Sequence, residues 1–269
     1  MALKIFKNNK NNISEKNTTK KKSTTATVYH DFNDIEYLQT TEETIQIYDI
    51  VPVQVGFSDN MESIAEMTDR FSTSIDPILR MYNSAMSVAK ARLEIIQDEF
   101  TFRKLRSPIH HIDTRLKSAK SILGKLQKKN MELTLNSACN NIFDIAGIRV
   151  VCPYIKDVYL IRDRILAQDD VQVMNIKDYI EKPKPNGYRS LHMTIRVPVY
   201  FMNKKQFVPV ELQIRTLAMD LWASLEHDIK YKSLYKEVGE DFSDELKSCS
   251  KLIYEAEAKM ERMNKLLED

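Results

Sequence analysis

Between Arg103 and Lys129 the chain sets nine basic side chains (Arg103, Lys104, Arg106, Arg115, Lys117, Lys120, Lys125, Lys128 and Lys129) against one acid, Asp113, a net charge of +8 over 27 residues. Arg115 and Lys117 lie two apart and share a face if the backbone is extended. Ser121 and Lys125 lie four apart and share a face if it is helical. A strand turning into a helix gathers Arg115, Lys117 and Lys125 around one point. Arginine then offers a planar fork and lysine a compact charge, which suits a polyphosphate. A solvated helix face is the competing reading of the run taken alone.

Two carboxylates stand where acids are costly. Asp144 precedes the apolar segment Ile145-Ala146-Gly147-Ile148-Arg149-Val150-Val151, and burying it demands a partner or a cation. Glu211 shares a strand face with Gln213 and Arg215, while Leu212 and Ile214 fill the other face. Two acids among phosphate-binding cations meet what Mg²⁺ requires, because that ion takes few carboxylate oxygens and completes its shell with phosphate and water. The plainer alternative is a pair of strand-end ion pairs, with Glu211 bound to Arg215 or Arg196.

The segment Lys182-Pro183-Lys184-Pro185-Asn186-Gly187-Tyr188-Arg189-Ser190-Leu191-His192 combines stiffening prolines with a turn-forming Asn-Gly. Such a loop can hold Tyr188 rigidly in the open as a stacking platform for a nucleobase. Lys184, Arg189 and His192 are expected around the same pocket, and a plain surface hairpin is the alternative. His110-His111-x-Asp113 is a poor zinc site, since adjacent strand histidines face opposite ways. His227 is expected to be a packed, hydrogen-bonded histidine rather than a catalyst.

The elements that must position these residues follow from pattern. Helix is expected from about Met61, with Asp76-Pro77 as an N-cap and first helical residue. A buried stripe follows at Ile78, Tyr82, Ala85, Ala89, Leu93, Ile96 and Phe100. Strands are expected at 109–117, 145–152, 171–180, 191–199 and 207–215, the last two a hairpin around Asn203-Lys204. Helices are expected at 118–129, 157–168, 216–235 and from about Phe242 to the end. A hairpin among βα units makes this an α/β (α+β) fold, a mixed sheet flanked by helices.

Composition narrows the class. The chain has 269 residues, 43% of them hydrophobic, and a net charge of only +2. Residues 1–27 carry seven lysines and one acid, and read as a disordered tail or a nucleic-acid-binding arm. Residues 28–60 carry seven acids and no Lys or Arg, with a β-branched stretch at Thr44–Val55 that fits a strand. Cys139, Cys152 and Cys249 are scattered, which fits a reducing cytoplasm better than a disulfide framework. No run is long and apolar enough for a membrane span, and no secretory leader is seen.

Taken in order, five segments resemble the synthetase domain of the RelA/SpoT-homologue family, and the size resembles a small alarmone synthetase. They are Arg115-x-Lys117 with Ser121-Ile122-x-x-Lys125, Asp144 through Arg149, Lys182 through His192, Glu211-Leu212-Gln213-Ile214-Arg215-Thr216, and Met219-Asp220-x-Trp222 through His227. The likeness covers roughly residues 108–235. It implies a polymerase-β-like nucleotidyltransferase fold and a Mg²⁺-dependent transfer of pyrophosphate from ATP to the 3′-hydroxyl of GDP or GTP, giving (p)ppGpp and AMP. It implies Arg115, Lys117, Ser121 and Lys125 on the ATP side, Arg149 near adenine, and Asp144 on Mg²⁺. Glu211 would help hold the metal or polarise the 3′-hydroxyl. Tyr188 would stack on guanine, with Lys177, Lys184, Asn186 and His192 in the acceptor pocket.

The same likeness implies an organisation. Residues 1–60 are a loosely attached extension, 61–107 a helical arm, 108–235 the catalytic domain and 236–269 a C-terminal helix. Long relatives carry hydrolase and regulatory domains for which this chain has no room, so synthesis without hydrolysis is expected. Asn175, near Lys177-Asp178 where long relatives often have a charge, leaves the GDP-or-GTP preference open. Small relatives form homotetramers, so a homo-oligomer regulated by alarmone or RNA is expected, with the helical arms as interface. Two other functions remain: the same transfer to an adenosine nucleotide or a tRNA 3′ end, or a non-catalytic nucleotide- or RNA-binding module.

Overall fold

The α1 helix (Ile64–Phe102) runs 39 residues without interruption, although Pro77 lies inside it. Proline removes one backbone hydrogen bond and costs about 3 kcal/mol in a helix interior. Phe71 and Ile75, on the near side of that proline, are almost wholly buried, and each contributes about 1.5–3 kcal/mol by leaving water. The core therefore carries the helix through the break. The expected start at Asp76 is corrected accordingly, and Asp76 accepts a hydrogen bond from Arg80 Nε (2.8 Å) instead of capping. The buried stripe runs from Ile75 through Ile78, Tyr82, Ala85, Ala89 and Leu93 to Ile96.

The computed structural model describes residues 64–236 and 242–268. The readings made for the basic 1–27 segment, the acidic 28–60 segment and the Thr44–Val55 strand lie outside the described residues. The elements after α1 are β1 (His111–Leu116), α2 (Ala119–Lys128), α3 (Leu135–Asn141), β2 (Ala146–Cys152), α4 (Ile155–Leu166), β3 (Gln172–Asp178), β4 (Leu191–Phe201), β5 (Lys204–Thr216), α5 (Leu217–Lys236) and α6 (Ser243–Glu268). Only α3 has no counterpart in the sequence reading. Its segment LNSACNN is poor in helix formers, but the Thr134 hydroxyl caps it by accepting from Ser137 N (3.1 Å).

The five strands form one mixed sheet in the order β1-β2-β5-β4-β3, in which only the β2–β5 pair is parallel. Met202 and Asn203, both with positive φ, turn β4 into β5 as a two-residue hairpin. Alternation divides the sheet sharply. Ile148, Val150, Met193, Ile195, Leu212 and Ile214 join α1 in the core. The other face carries polar side chains in two registered rows. One row reads Asp113, Arg149, Gln213, His192, Lys177 across all five strands, and the other Arg115, Gly147, Glu211, Thr194, Asn175. No helix among the described residues is long and apolar enough to cross a membrane.

Candidate active site

Asp144 leads into β2 and receives two lysines. Lys125 Nζ from α2 lies 2.7 Å from its Oδ2, and Lys117 Nζ, just past β1, lies 3.2 Å away. Ser118 caps α2, its oxygen accepting from Ser121 N, and Ser121 lies exposed at the helix start. Burial pushes the Asp144 carboxyl up, but the Lys125 hydrogen bond and the charges of Lys117 and Lys125 outweigh it and hold the group below its ordinary range. Its other oxygen, Oδ1, is buried with no hydrogen-bond partner. Arg115 sits exposed on β1, apart from this pairing.

Glu211 lies in the sheet floor. Gln213 Nε2 donates to its Oε2 (2.8 Å), and His192 Nδ1 stands 3.7 Å from Oε1. Burial raises this carboxyl, while His192 and the Gln213 amide more than compensate and leave it below its ordinary value; the negative charge of Asp144 acts against them. Glu211 pairs with neither arginine named as the plainer alternative. Arg215 turns to Asp220 (3.3 Å), to Gln213 Oε1 (2.7 Å) and to the Tyr188 hydroxyl (3.0 Å). Gly147, between Arg115 and Glu211 in the registered row, puts no side chain into the roughly 10 Å gap that two strand spacings leave.

The acceptor-side loop is built by its own hydrogen bonds. Gly187 N donates to Lys184 O (2.8 Å), closing a turn with Pro185 at its first central position, and Tyr188 N donates to Asn186 Oδ1 (3.2 Å). Only Gly187 there adopts positive φ (+90°). Tyr188 does not stand in the open as the sequence implied. Its ring is half-buried, edge-on to His192, Tyr179 and near Trp222, with Lys184 Nζ 4.9 Å from its centroid. Its hydroxyl accepts from Arg215 Nη2 (3.0 Å) and shares a hydrogen bond with His192 Nε2 (2.8 Å), whose other ring nitrogen faces Glu211. Burial pushes the Tyr188 phenol up against the pull of Arg215.

Other expectations land differently. Lys177 is exposed on β3 beside His192 in register. Asn186 serves the loop and donates to Glu226 on α5 (3.2 Å). Arg189 points away from Tyr188, with its guanidinium 4.0 Å over the Tyr254 ring of α6. His227 is exposed rather than packed. His110 and His111 do meet, at 2.8 Å, because His110 precedes the strand and escapes its alternation. Arg149 approaches Asp220 (3.5 Å). Sequence reasoning passed over Tyr179, whose ring packs 5.3 Å from His192, and Asp220, which draws Arg149 and Arg215 together. The motif Met219-Asp220-x-Trp222 was the available signal for Asp220.

No group of three His, Cys, Asp or Glu side chains is placed to hold a metal among the described residues. The donor set instead fits an ion that takes few protein ligands. Asp144 Oδ1 is a buried oxygen without a partner, two lysines pair with its other oxygen, and its charge is felt by the second carboxylate, Glu211. Mg²⁺ matches that description. The thiols of Cys139 and Cys152 are no metal ligands here, since burial pushes Cys139 up to about 12 and Cys152 higher still.

Residues 114–236, which carry both acids, the lysine cluster and the tyrosine loop, match the model described as a region found in RelA/SpoT proteins. The chain is also 41% identical over 182 residues to GTP pyrophosphokinase YwaC of Bacillus subtilis, covering 68% of this chain and 86% of that protein. The chain belongs to the RelA/SpoT family. Solved RelA/SpoT structures share its fold. Small alarmone synthetase 2 of Bacillus subtilis superposes with a TM-score of 0.63 at 39% identity, over 70% of this chain and 96% of that one. Small alarmone synthetase 1 of the same organism, bound to its product pppGpp, gives 0.64 at 30% identity over 70% and 95%.

Proposed function

We propose that this chain is a (p)ppGpp synthetase that transfers pyrophosphate from ATP to the 3′-hydroxyl of GDP or GTP in the cytoplasm and releases AMP. The observation that carries the reading is Asp144, with its unpartnered buried Oδ1, and Glu211, whose carboxyl feels the charge of Asp144 and stands beside the His192 ring that Tyr188 reaches. In the reaction the 3′-oxygen forms a bond to the β-phosphorus of ATP. The bond from that phosphorus to the oxygen bridging to the α-phosphate breaks, and its electron pair leaves with AMP. Glu211 polarises the hydroxyl and takes its proton. Arg115, Lys117, Ser121 and Lys125 bind the ATP phosphates, and Arg149 borders the adenine. Tyr188 stacks on guanine, with Lys177, Lys184, Asn186 and His192 around it. Asp144 and Glu211 would hold Mg²⁺, which when bound would supply the charge neutralisation that phosphoryl-type transfer requires.

Separating the products of labelled ATP incubated with GDP, GTP, ADP or tRNA tests this directly. AMP with a 3′-pyrophosphorylated guanine nucleotide is expected. Product from ADP or tRNA alone would move the chain to another acceptor class, and nucleotide binding without AMP would make it a binding module. We also propose a homotetramer. Leu217, Leu221, Leu225 and Ile229 recur every fourth residue on α5 and are 39–54% exposed, an apolar row suited to another copy. A monomeric mass by light scattering would overturn that.

A further inference from the structure

The loop that carries Tyr188 is clasped from behind by a helix outside the family-matched residues. Ser250 of α6 is buried, and its hydroxyl donates to Gly187 O at 2.5 Å. The approach is so close that a Cβ on Gly187 would lie 2.7 Å from Ser250 Cβ and 3.4 Å from Lys247 Cα. Arg189, the other neighbour of Tyr188, stacks on Tyr254 of the same helix and donates to Ile180 O (3.3 Å). Trp222 Nε1 donates to Leu246 O (2.8 Å), which fastens α6 to α5, and the Trp222 ring lies 6.4 Å from Tyr188. Both residues flanking Tyr188 thus face α6, while Tyr188 itself faces Arg215 and His192.

We propose that α6 is the strut that sets the shape of the base-stacking loop, with Ser250 as its positioning residue, so that acceptor affinity follows the docking of α6. This rests on the acceptor reading of Tyr188. A loop competent only while clasped binds with an affinity reduced by the fraction of time it is released. The effect falls on the acceptor, because Lys117, Lys125 and Asp144 make no contact with α6 in the pairings described.

The test compares Ser250→Ala, Tyr254→Ala and Tyr188→Ala in the full chain. Loss of one buried hydrogen bond predicts an acceptor KM about three- to tenfold higher for Ser250→Ala, with ATP KM unchanged. The single tryptophan of the chain, Trp222, supplies a readout free of catalysis. Its emission, titrated with GDP in the absence of ATP, should move its midpoint by the same factor. Tyr254→Ala, which removes only a ring stack from a partly exposed position, should give about two- to threefold and keeps the test open if Ser250→Ala fails to fold. An acceptor KM raised by Tyr188→Ala but by neither α6 variant overturns the strut and leaves the acceptor reading standing. An acceptor KM unchanged in all three overturns the acceptor reading, and the strut with it.

Discussion

On the β1–β2 side of the cleft, full charges do the holding: two lysines converge on Asp144, whose carboxyl they keep ionised against burial. On the β4 side the same task falls to a circuit of shared protons and rings. Gln213 reaches Glu211, Arg215 reaches Gln213 and Tyr188, and Tyr188 reaches His192. The first arrangement suits a ligand whose recognised part is charge without much shape, namely a polyphosphate. The second suits a flat base, for which orientation matters more than charge. Damage should therefore appear in different kinetic constants on the two sides.

The largest effect is expected where the two sides meet. Glu211→Gln or Asp144→Asn should lower AMP release by about 10²–10⁴-fold, with the melting temperature little changed. A protein that turns over normally without either carboxylate would erase the distinction between the two sides. Tyr188→Ala should raise the acceptor KM by about five- to 150-fold, the loss of one base stack, and leave that for ATP alone. Tyr188→Phe separates stacking from the hydroxyl circuit and should cost about threefold. Lys125→Met should do the converse, raising the ATP KM by about tenfold through one lost charge-assisted contact and sparing the acceptor. Equal shifts for both substrates in either variant would show the sides to be one unit.

The smallest effect concerns α6. Burial raises the carboxyl of Glu257, helped by Glu261 and opposed by Thr216 and Arg189. A carboxyl raised in the folded state costs stability once pH exceeds the unfolded value near 4.3, and the cost is complete above the folded value. Glu257→Gln should therefore raise the melting temperature by about 2–4 °C at neutral pH, a gain that fades as pH falls below about 4, where Glu257 becomes protonated in both the folded and the unfolded state. Calorimetry at the two pH values checks the sign.

The strands and the hairpin were legible because period-two alternation separates Leu212 and Ile214 from Glu211 and Gln213 without knowledge of neighbours. The convergence of Lys117 and Lys125 was legible because they lie close in sequence across a turn into a helix, whereas Arg115, expected with them, stands apart. What escaped depended on partners far along the chain. Pro77 looked like a boundary because the burial of Phe71 and Ile75 is not written locally. Tyr179 and Asp220 acquire meaning only from His192 and Arg215. The clasp joins residues 63 positions apart, and no spacing rule links Ser250 to Gly187.

Gly147 lies in the registered row between Arg115 and Glu211. A methyl group there would meet only Arg115 O, at 3.7 Å, an ordinary contact. The chain could thus carry alanine at this position and still fold, and any penalty would be felt by whatever occupies the hollow between Arg115 and Glu211. That makes the position a gauge of occupancy alone, able to separate the needs of the scaffold from those of its tenant.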